Sequence, residues 1–392
     1  MSVGVVGHKA YSGVKVQIMI LHFLVYDSLT GNQFSDYVVR QFSNPEMRSD
    51  FVVISSLKNL PERVFNQERV RVVDPSSEAF ESFLSSLREY SAIVFHGLFY
   101  PWCERVLKSV PETVKVAWEF WGGEIYGRCD LVNQMLAPLS RCISILHDKL
   151  KRKVPCEKWE LPFGLYQRID YCLTAQREEF DFASRYIRSS HIKHLWFTYY
   201  SIEETVGSLI DKQSNGDNLW FCHNADVESN AFDALLRFVF LKKYKKHIKN
   251  VSVIMPLSYG SPWIRNVFLE IGPRVFKYSF KPLITFLERD EYNRCMLSCS
   301  TLVLPGYRPA GQGNIITALW LGMRVYLSEK CISFGYFKRI GAVVFSFESD
   351  FPRFGCSRIS KEEVETNRLV LYGTFGRASI DKAVANVVSV LS

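Results

Sequence analysis

The sequence predicts an α/β protein made of two Rossmann-like, doubly wound domains. Three observations predict it. The chain has 392 residues, more than one hydrophobic core usually organises, so two domains of ordinary size are expected. Continuous apolar runs of strand length alternate with amphipathic segments of helix length, the pattern of parallel sheets buried on both faces. Glycine- and asparagine-rich loops follow the apolar runs, where doubly wound sheets place their ligand crevices.

Taken in order, "VQIMILHFLV" at 16–25 is the first strand, broken at "YDSLTGN". A helix is expected in "QFSDYVVRQF", a strand in "DFVVISS", a helix in "SSEAFESFLSSLREY" and a strand in "SAIVFHG". After "HGLFYPW" come the helix "CERVLKSV" and the strand "TVKVAW", which runs into the aromatic stretch "AWEFWGGEIYG". The first domain is set at 16–166. Residues 167–215 are charged, then aromatic, and read as linker plus insertion. Alternation resumes over 216–375 with strands "LWFCHN", "NVSVIMPL", "PRVFKYS", "TLVLPG", "RVYLSE" and "AVVFSF", separated by helices, and 376–392 reads as a closing helix.

Composition narrows the class. Hydrophobic residues make up 47% of the chain, yet no run reaches the roughly 18 to 20 apolar residues that span a bilayer. The first residues lack the order of a secretory signal, so a cytoplasmic location is expected. Ten cysteines are scattered, and the closest pair, Cys295 and Cys299, has helical spacing, so neither a disulfide framework nor a metal site is expected. The net charge of +8 gathers in "KLKRK" at 149–153, "KKYKKHIK" at 242–249 and "FKYSFK" at 276–281. With no zinc finger and no RNA-recognition signature, anionic lipid head groups fit these tracts better than nucleic acid.

The chemistry is expected in the loops after strands. None is a Walker A loop, and "GQGN" lacks the third glycine of the dinucleotide fingerprint, which disfavours triphosphatases and dehydrogenases. In "RPAGQGN", Gly311 and Gly313 flank Gln312 and let backbone approach a ligand, Asn314 is expected to cap a helix from Ile315, and Arg308 supplies a fixed positive charge. A diphosphate suits that loop. "HNADVESNAF" offers Asn224 at a strand end with Ser229 or Asn230 as a cap, and Tyr259 lies in the similar loop "PLSYGSPW".

The pieces "LHFLVYDSLTGN", "FHGLFYPW", "WEFWGGEIY", "HNADVESNAFDAL", "VIMPLSYG" and "YNRCMLSCSTLVLPGYRPAGQGNIITALWLGMRVYL" together resemble the bacterial 4-acetamido-4,6-dideoxygalactose (fucosaminyl) transferase family. The resemblance implies a GT-B glycosyltransferase that uses a dTDP-sugar, with the donor mainly on the C-terminal domain and a polyprenyl-diphosphate-linked glycan acceptor on the N-terminal one. It implies no metal and no cofactor beyond the donor, and a peripheral enzyme on the cytoplasmic face of the inner membrane. The chain departs from the family at Glu119, where the family has histidine, and in the length of 167–215. A UDP- or GDP-sugar transferase, or a noncatalytic glycan- or nucleotide-binding partner, fits the same residues.

Under this reading Gly122 and Gly123 make a tight turn, Trp118 and Trp121 are walls for sugar rings, and Glu124 presents a carboxylate. Direct displacement at an anomeric carbon needs a base for the acceptor hydroxyl and positive charge for the leaving diphosphate. Glu124, His96 and Asp27 are the candidate bases, with Glu124 first, and His22 reads as a core histidine. "LVNQMLAPLSRCISILHDKLKRK" combines an apolar face with a basic end, as a membrane-facing helix does.

Overall fold

A computed structural model describes residues 19–25, 38–42, 48–55, 70–99, 101–151 and 160–392. Among these residues the strands form two parallel sheets. The first contains β1 (Met19–Val25), β2 (Arg48–Ile54), β3 (Val70–Val73), β4 (Ala92–His96), β5 (Lys115–Glu119), β6 (Tyr171–Leu173) and β7 (Lys193–Leu195), in the order β3-β2-β1-β4-β5-β6-β7. The second contains β8 (Asn218–Phe221), β9 (Val253–Pro256), β10 (Phe280–Leu283), β11 (Cys299–Leu304), β12 (Arg324–Leu327) and β13 (Phe345–Ser346), in the order β10-β9-β8-β11-β12-β13. In each sheet the order reverses beside the first strand, so each has a topological switch point.

The apolar runs explain the sheets. β4, β9, β11 and β12 are buried at every position, as strands covered by helices on both faces must be. In the first domain, Leu21, Phe23, Ile93 and Phe95 face one core while Ile20, Leu24, Ala92 and Val94 face the other. Period-two alternation therefore persists inside a continuous apolar run.

The helices that frame the site are α1 (Pro138–Lys151), α2 (Arg177–Tyr186), α3 (Ala231–Phe240), α4 (Lys242–Ile248), α5 (Pro262–Phe276), α6 (Gln312–Trp320), α7 (Ile332–Arg339), α8 (Lys361–Phe375) and α9 (Arg377–Leu391). α1 belongs to the first domain in sequence but docks on the second. Asp233 accepts hydrogen bonds from Leu139 N at 2.9 Å, Ser140 N at 2.8 Å and Ser140 Oγ at 2.7 Å, which satisfies N–H groups that an uncapped helix start leaves open. α9 returns the other way: Val387 and Leu391 pack with Ile20, Leu24 and Leu173 of the first domain, and Val390 O accepts from Lys115 Nζ at 2.9 Å.

Three expectations are corrected. Residues 167–215 are more than linker, because β6 and β7 extend the first sheet and α2 connects them; the strands are only three residues each, too short to show a period. "PRVFKYS" is not a strand. α5 runs through Pro273 to Phe276, carried by Ile264, Phe268, Gly272 and Phe276 on its buried face, and β10 starts only at Phe280. Cys129 is disulfide-bonded, where none was expected, while eight other described cysteines are free.

The tract at 242–249 forms α4, which buries Tyr244 and Ile248 and leaves Lys242, Lys243, Lys245 and Lys246 exposed. No helix among the described residues is long and apolar enough to cross a membrane.

Candidate functional site

A cavity of about 330 Å³ opens at the carboxyl ends of β8, β9, β11 and β12, at the switch point of the second sheet. Its walls are the loop after β8, with His223, Asn224, Asp226, Glu228 and Ser229; Tyr259 after β9; Leu304 at the end of β11 with residues 305–306 and 308–311 after it; and Cys331 after β12. The first domain contributes one described residue, Trp121.

Arg308 is the charge centre. It pairs with Glu228 across the cavity wall, and its Nε is buried without a partner. Burial works against its charge, but Glu228 and then Glu124 hold its pKa above the ordinary value. The same burial, followed by the Arg308 charge, pushes His223 down to about 4, so this imidazole is neutral at pH 7. Gly311, at φ +68°, is the N-cap of α6, and no side chain caps the helix. A Cβ on Gly311 would meet His223 Cγ at 3.2 Å, so both backbone conformation and space favour glycine. The first-turn N–H groups of α6 are therefore left for a ligand. Two further polar atoms are buried without partners, Gln312 Nε2 and Asn224 Oδ1. Gln312 Nε2 and Arg308 Nε are donors, suited to an anion, and Asn224 Oδ1 accepts.

The stretch "WEFWGGEIYG" forms a self-contained turn at the end of β5. Gly122, at φ +87°, turns the chain into the short helix Gly123–Tyr126. Glu124 Oε1 then reaches back and accepts from Trp118 Nε1 at 2.9 Å and Trp121 N at 3.1 Å. Glu124 Oε2 is buried without a partner, and burial raises the pKa of this carboxyl. A Cβ on Gly123 would lie 3.5 Å from Arg308 Nη2, so the turn sits directly against the charge centre of the second domain.

The predicted residues therefore separate. Trp121, Asn224, Ser229, Tyr259, Arg308 and Gly311 line one cavity. Gly122, Gly123 and Glu124 back its first-domain wall, and Gln312 and Gly313 start α6. Four expectations change. Trp118 is 1% exposed and packs edge-on to Phe120 and beside Tyr166, so it is core rather than a sugar wall. Asn314 lies inside the first turn of α6 and donates to Tyr292 OH at 3.0 Å instead of capping the helix. Asn230 is turned away from the cavity; its Oδ1 accepts from Ala137 N at 2.8 Å and its Nδ2 donates to Met135 O at 3.2 Å, fastening the two domains. His96 is wholly buried, 3.1 Å from His22 and 2.6 Å from Tyr199 OH. Burial, followed by the neighbouring His22, pushes its pKa well down. Asp27 lies outside the described residues.

Sequence reading missed His223 and Glu228, although both stand in the quoted loop. It also missed Glu179 on α2, in the stretch read as linker. Glu179 Oε1 lies 3.5 Å from Tyr126 OH. Burial pushes its pKa up to about 8, with Arg308 pulling the other way. The folded-state pKa thus exceeds the unfolded value near 4.3. Its stabilising contribution is whole below about pH 4 and is lost as pH rises through about 8. Glu179→Gln is expected to flatten the fall in unfolding free energy between about pH 5 and 8, by up to about 1.4 kcal/mol per pH unit. Urea titrations of both proteins at the two pH values measure it, and parallel profiles would show that Glu179 does not titrate in this way.

No protein-family model and no curated protein matches the chain. Solved structures match in shape. A sucrose-phosphate synthase from Thermosynechococcus elongatus is similar over 95% of this chain and 99% of its own, at a TM-score of 0.57 and 11% identity. A glycosyltransferase from Rickettsia africae ESF-5 is similar over 96% and 98%, at 0.60 and 10%. The Anabaena protein HepE, solved in complex with UDP, is similar over 95% and 100%, at 0.56 and 11%. At these identities the likeness is one of fold. The chain has the GT-B architecture, two Rossmann-like domains facing across a cleft.

Proposed function

We propose that the protein is a metal-independent glycosyltransferase that takes a hexosyl group from a nucleoside-diphosphate sugar. One observation carries the reading: Arg308 and Gly311, the N-cap of α6, meet at one cavity at a switch point, and the first residue of that helix, Gln312, holds the unpartnered donor Nε2. A diphosphate uses all three, and in displacement the same groups stabilise the charge that develops on the leaving group. Glu124, on the opposite domain and beside Arg308, is the proton acceptor for the incoming hydroxyl. Burial has raised its pKa toward the working range of a general base.

The finer reading is a dTDP-linked 4-acetamido-4,6-dideoxygalactose donor and a polyprenyl-diphosphate-linked glycan acceptor at the cytoplasmic face of a bacterial inner membrane. The sequence pieces that resemble the fucosaminyltransferase family support it. So does an exposed apolar surface shared by α1 and the start of α5. Ile145 and Leu146 of α1 are 41% and 61% exposed, the His147 ring packs tilted against Trp263 of α5 with centroids 4.6 Å apart, and Trp263 and the cavity residue Tyr259 are themselves more than a third exposed. Aromatic and aliphatic surface beside a helix whose sequence ends in Lys149 and Lys151 suits an anionic bilayer.

Thermal shift with dTDP, UDP, GDP and ADP tests the reading. A ligand at 100 times its Kd stabilises by about 2.7 kcal/mol, so dTDP is expected to raise Tm by several degrees. Preference for UDP, the nucleotide bound to HepE, would keep the site and change the donor. No shift with any of them would contradict the proposal.

A further inference from the structure

Trp121 is held at both ends. Its backbone N donates to Glu124 Oε1 at 3.1 Å, and its indole Nε1 donates to Tyr199 OH at 2.9 Å. Phe99 packs at 5.8 Å and the Tyr199 ring stands edge-on at 6.3 Å. Behind Tyr199 lies a buried polar chain. Tyr199 OH donates to Glu119 Oε2 at 2.8 Å and lies 2.6 Å from His96 Nδ1, and His96 Nε2 lies 3.1 Å from His22 Nδ1. Tyr199, Glu119, His96 and His22 are all buried. Burying so many polar groups costs free energy that apolar residues of the same size would not. Among the described residues, this polar chain meets the cavity at the Trp121 indole.

We infer that Tyr199 and Glu119, backed by His96, are positioning residues that hold the Trp121 indole as a rigid face for the hexose of the nucleotide-sugar. The inference rests on the proposed glycosyltransferase reading. An indole N–H only donates, whereas a phenol has one proton and two lone pairs. With Glu119 ionised, Tyr199 donates to it and accepts from Trp121 and from His96 Nδ1–H, while His96 Nε2 accepts from His22 Nδ1–H. With Glu119 protonated, Tyr199 accepts from Glu119 and Trp121 and donates to His96 Nδ1, and His96 Nε2–H donates to His22 Nδ1. Both imidazoles stay neutral in either form, as their burial requires, and the Trp121 bond survives in both. Because Trp121 faces donor groups supplied by the other domain, it stands where the sugar beyond the diphosphate lies. A flat ring fixed in advance lowers the ordering cost of stacking on a pyranose.

The test uses the full chain labelled with 5-fluorotryptophan, the Trp121 resonance being assigned by its absence in Trp121→Phe. Tyr199→Phe removes one hydroxyl and is expected to shift or broaden the Trp121 resonance, to raise the donor KM about tenfold and to leave kcat within about threefold. Glu119→Leu removes the acceptor for Tyr199 and is expected to move the Trp121 resonance and the donor KM in the same direction as Tyr199→Phe, whereas Glu119→Gln, which retains an acceptor, is expected to keep a single Trp121 line. In a Trp121→Phe background, Tyr199→Phe should change KM no further. An unmoved Trp121 resonance, or an equal KM effect with and without Trp121, would overturn the inference. The fluorine spectrum needs no ligand, so if wild-type protein binds no nucleotide-sugar the glycosyltransferase reading fails while the hold on Trp121 is still decided.

Discussion

Arg308→Ala is expected to lower sugar transfer by roughly 100- to 1000-fold and to remove the stabilisation that a nucleoside diphosphate confers. Losing one preorganised donor to a developing oxyanion typically costs that much, and Arg308 is also the cation facing Glu228, Glu124 and Glu179. The unfolded fraction should change little by comparison. Without the guanidinium, Glu228 keeps access to water at the cavity wall, and Glu124 and Glu179 take up protons more readily. Thermal unfolding without ligand, beside calorimetric titration with dTDP, separates the two effects. Retained dTDP affinity in a folded Arg308→Ala protein would move the donor away from this cavity.

Glu124 gives the second large effect, and two substitutions divide its roles. Glu124→Gln keeps an oxygen where Oε1 accepts from Trp118 Nε1 and Trp121 N but cannot take a proton. Transfer is expected to fall by about 100-fold or more, with Tm close to wild type. Glu124→Ala also leaves those two donors unpaired, at about 1 to 3 kcal/mol each, and so should lower both turnover and Tm. Turnover measured at saturating donor, with melting curves of the same preparations, makes the comparison. Wild-type turnover in Glu124→Gln would reduce Glu124 to a clasp for its own turn.

The sheets were legible because their signal is local. Runs such as "IMILHFLV" and "STLVLPG" have no other stable place in a soluble fold, and the loops after them carry the glycines and asparagines that crevices need. Which side chains enter the crevice is not a local property. Trp118 and Trp121 are three residues apart in one motif, yet the strand points the first into the core, and the turn at Gly122 releases the second to the cavity. Asn230 looks like a cap but spends its amide on the other domain. His96 stands at a strand end, and only the neighbouring strand, with His22, and Tyr199 from far along the chain show it to be interior. The stretch at 167–215 hid Glu179 and Tyr199, because its short strands and charged helix lack the period that marks the rest.

The most direct measurement is transfer itself. Purified protein, nucleotide-sugars labelled in the sugar and a bacterial polyprenyl-diphosphate glycan extract are incubated together, and the label is followed from water into organic solvent. Movement of label from a dTDP-amino-deoxyhexose into the lipid phase, absent with Glu124→Gln and Arg308→Ala, is the expected result. Label that stays in water with every dTDP-, UDP- and GDP-sugar, from a protein that still binds the nucleoside diphosphate, would contradict a transferase and leave a binding protein with a transferase fold.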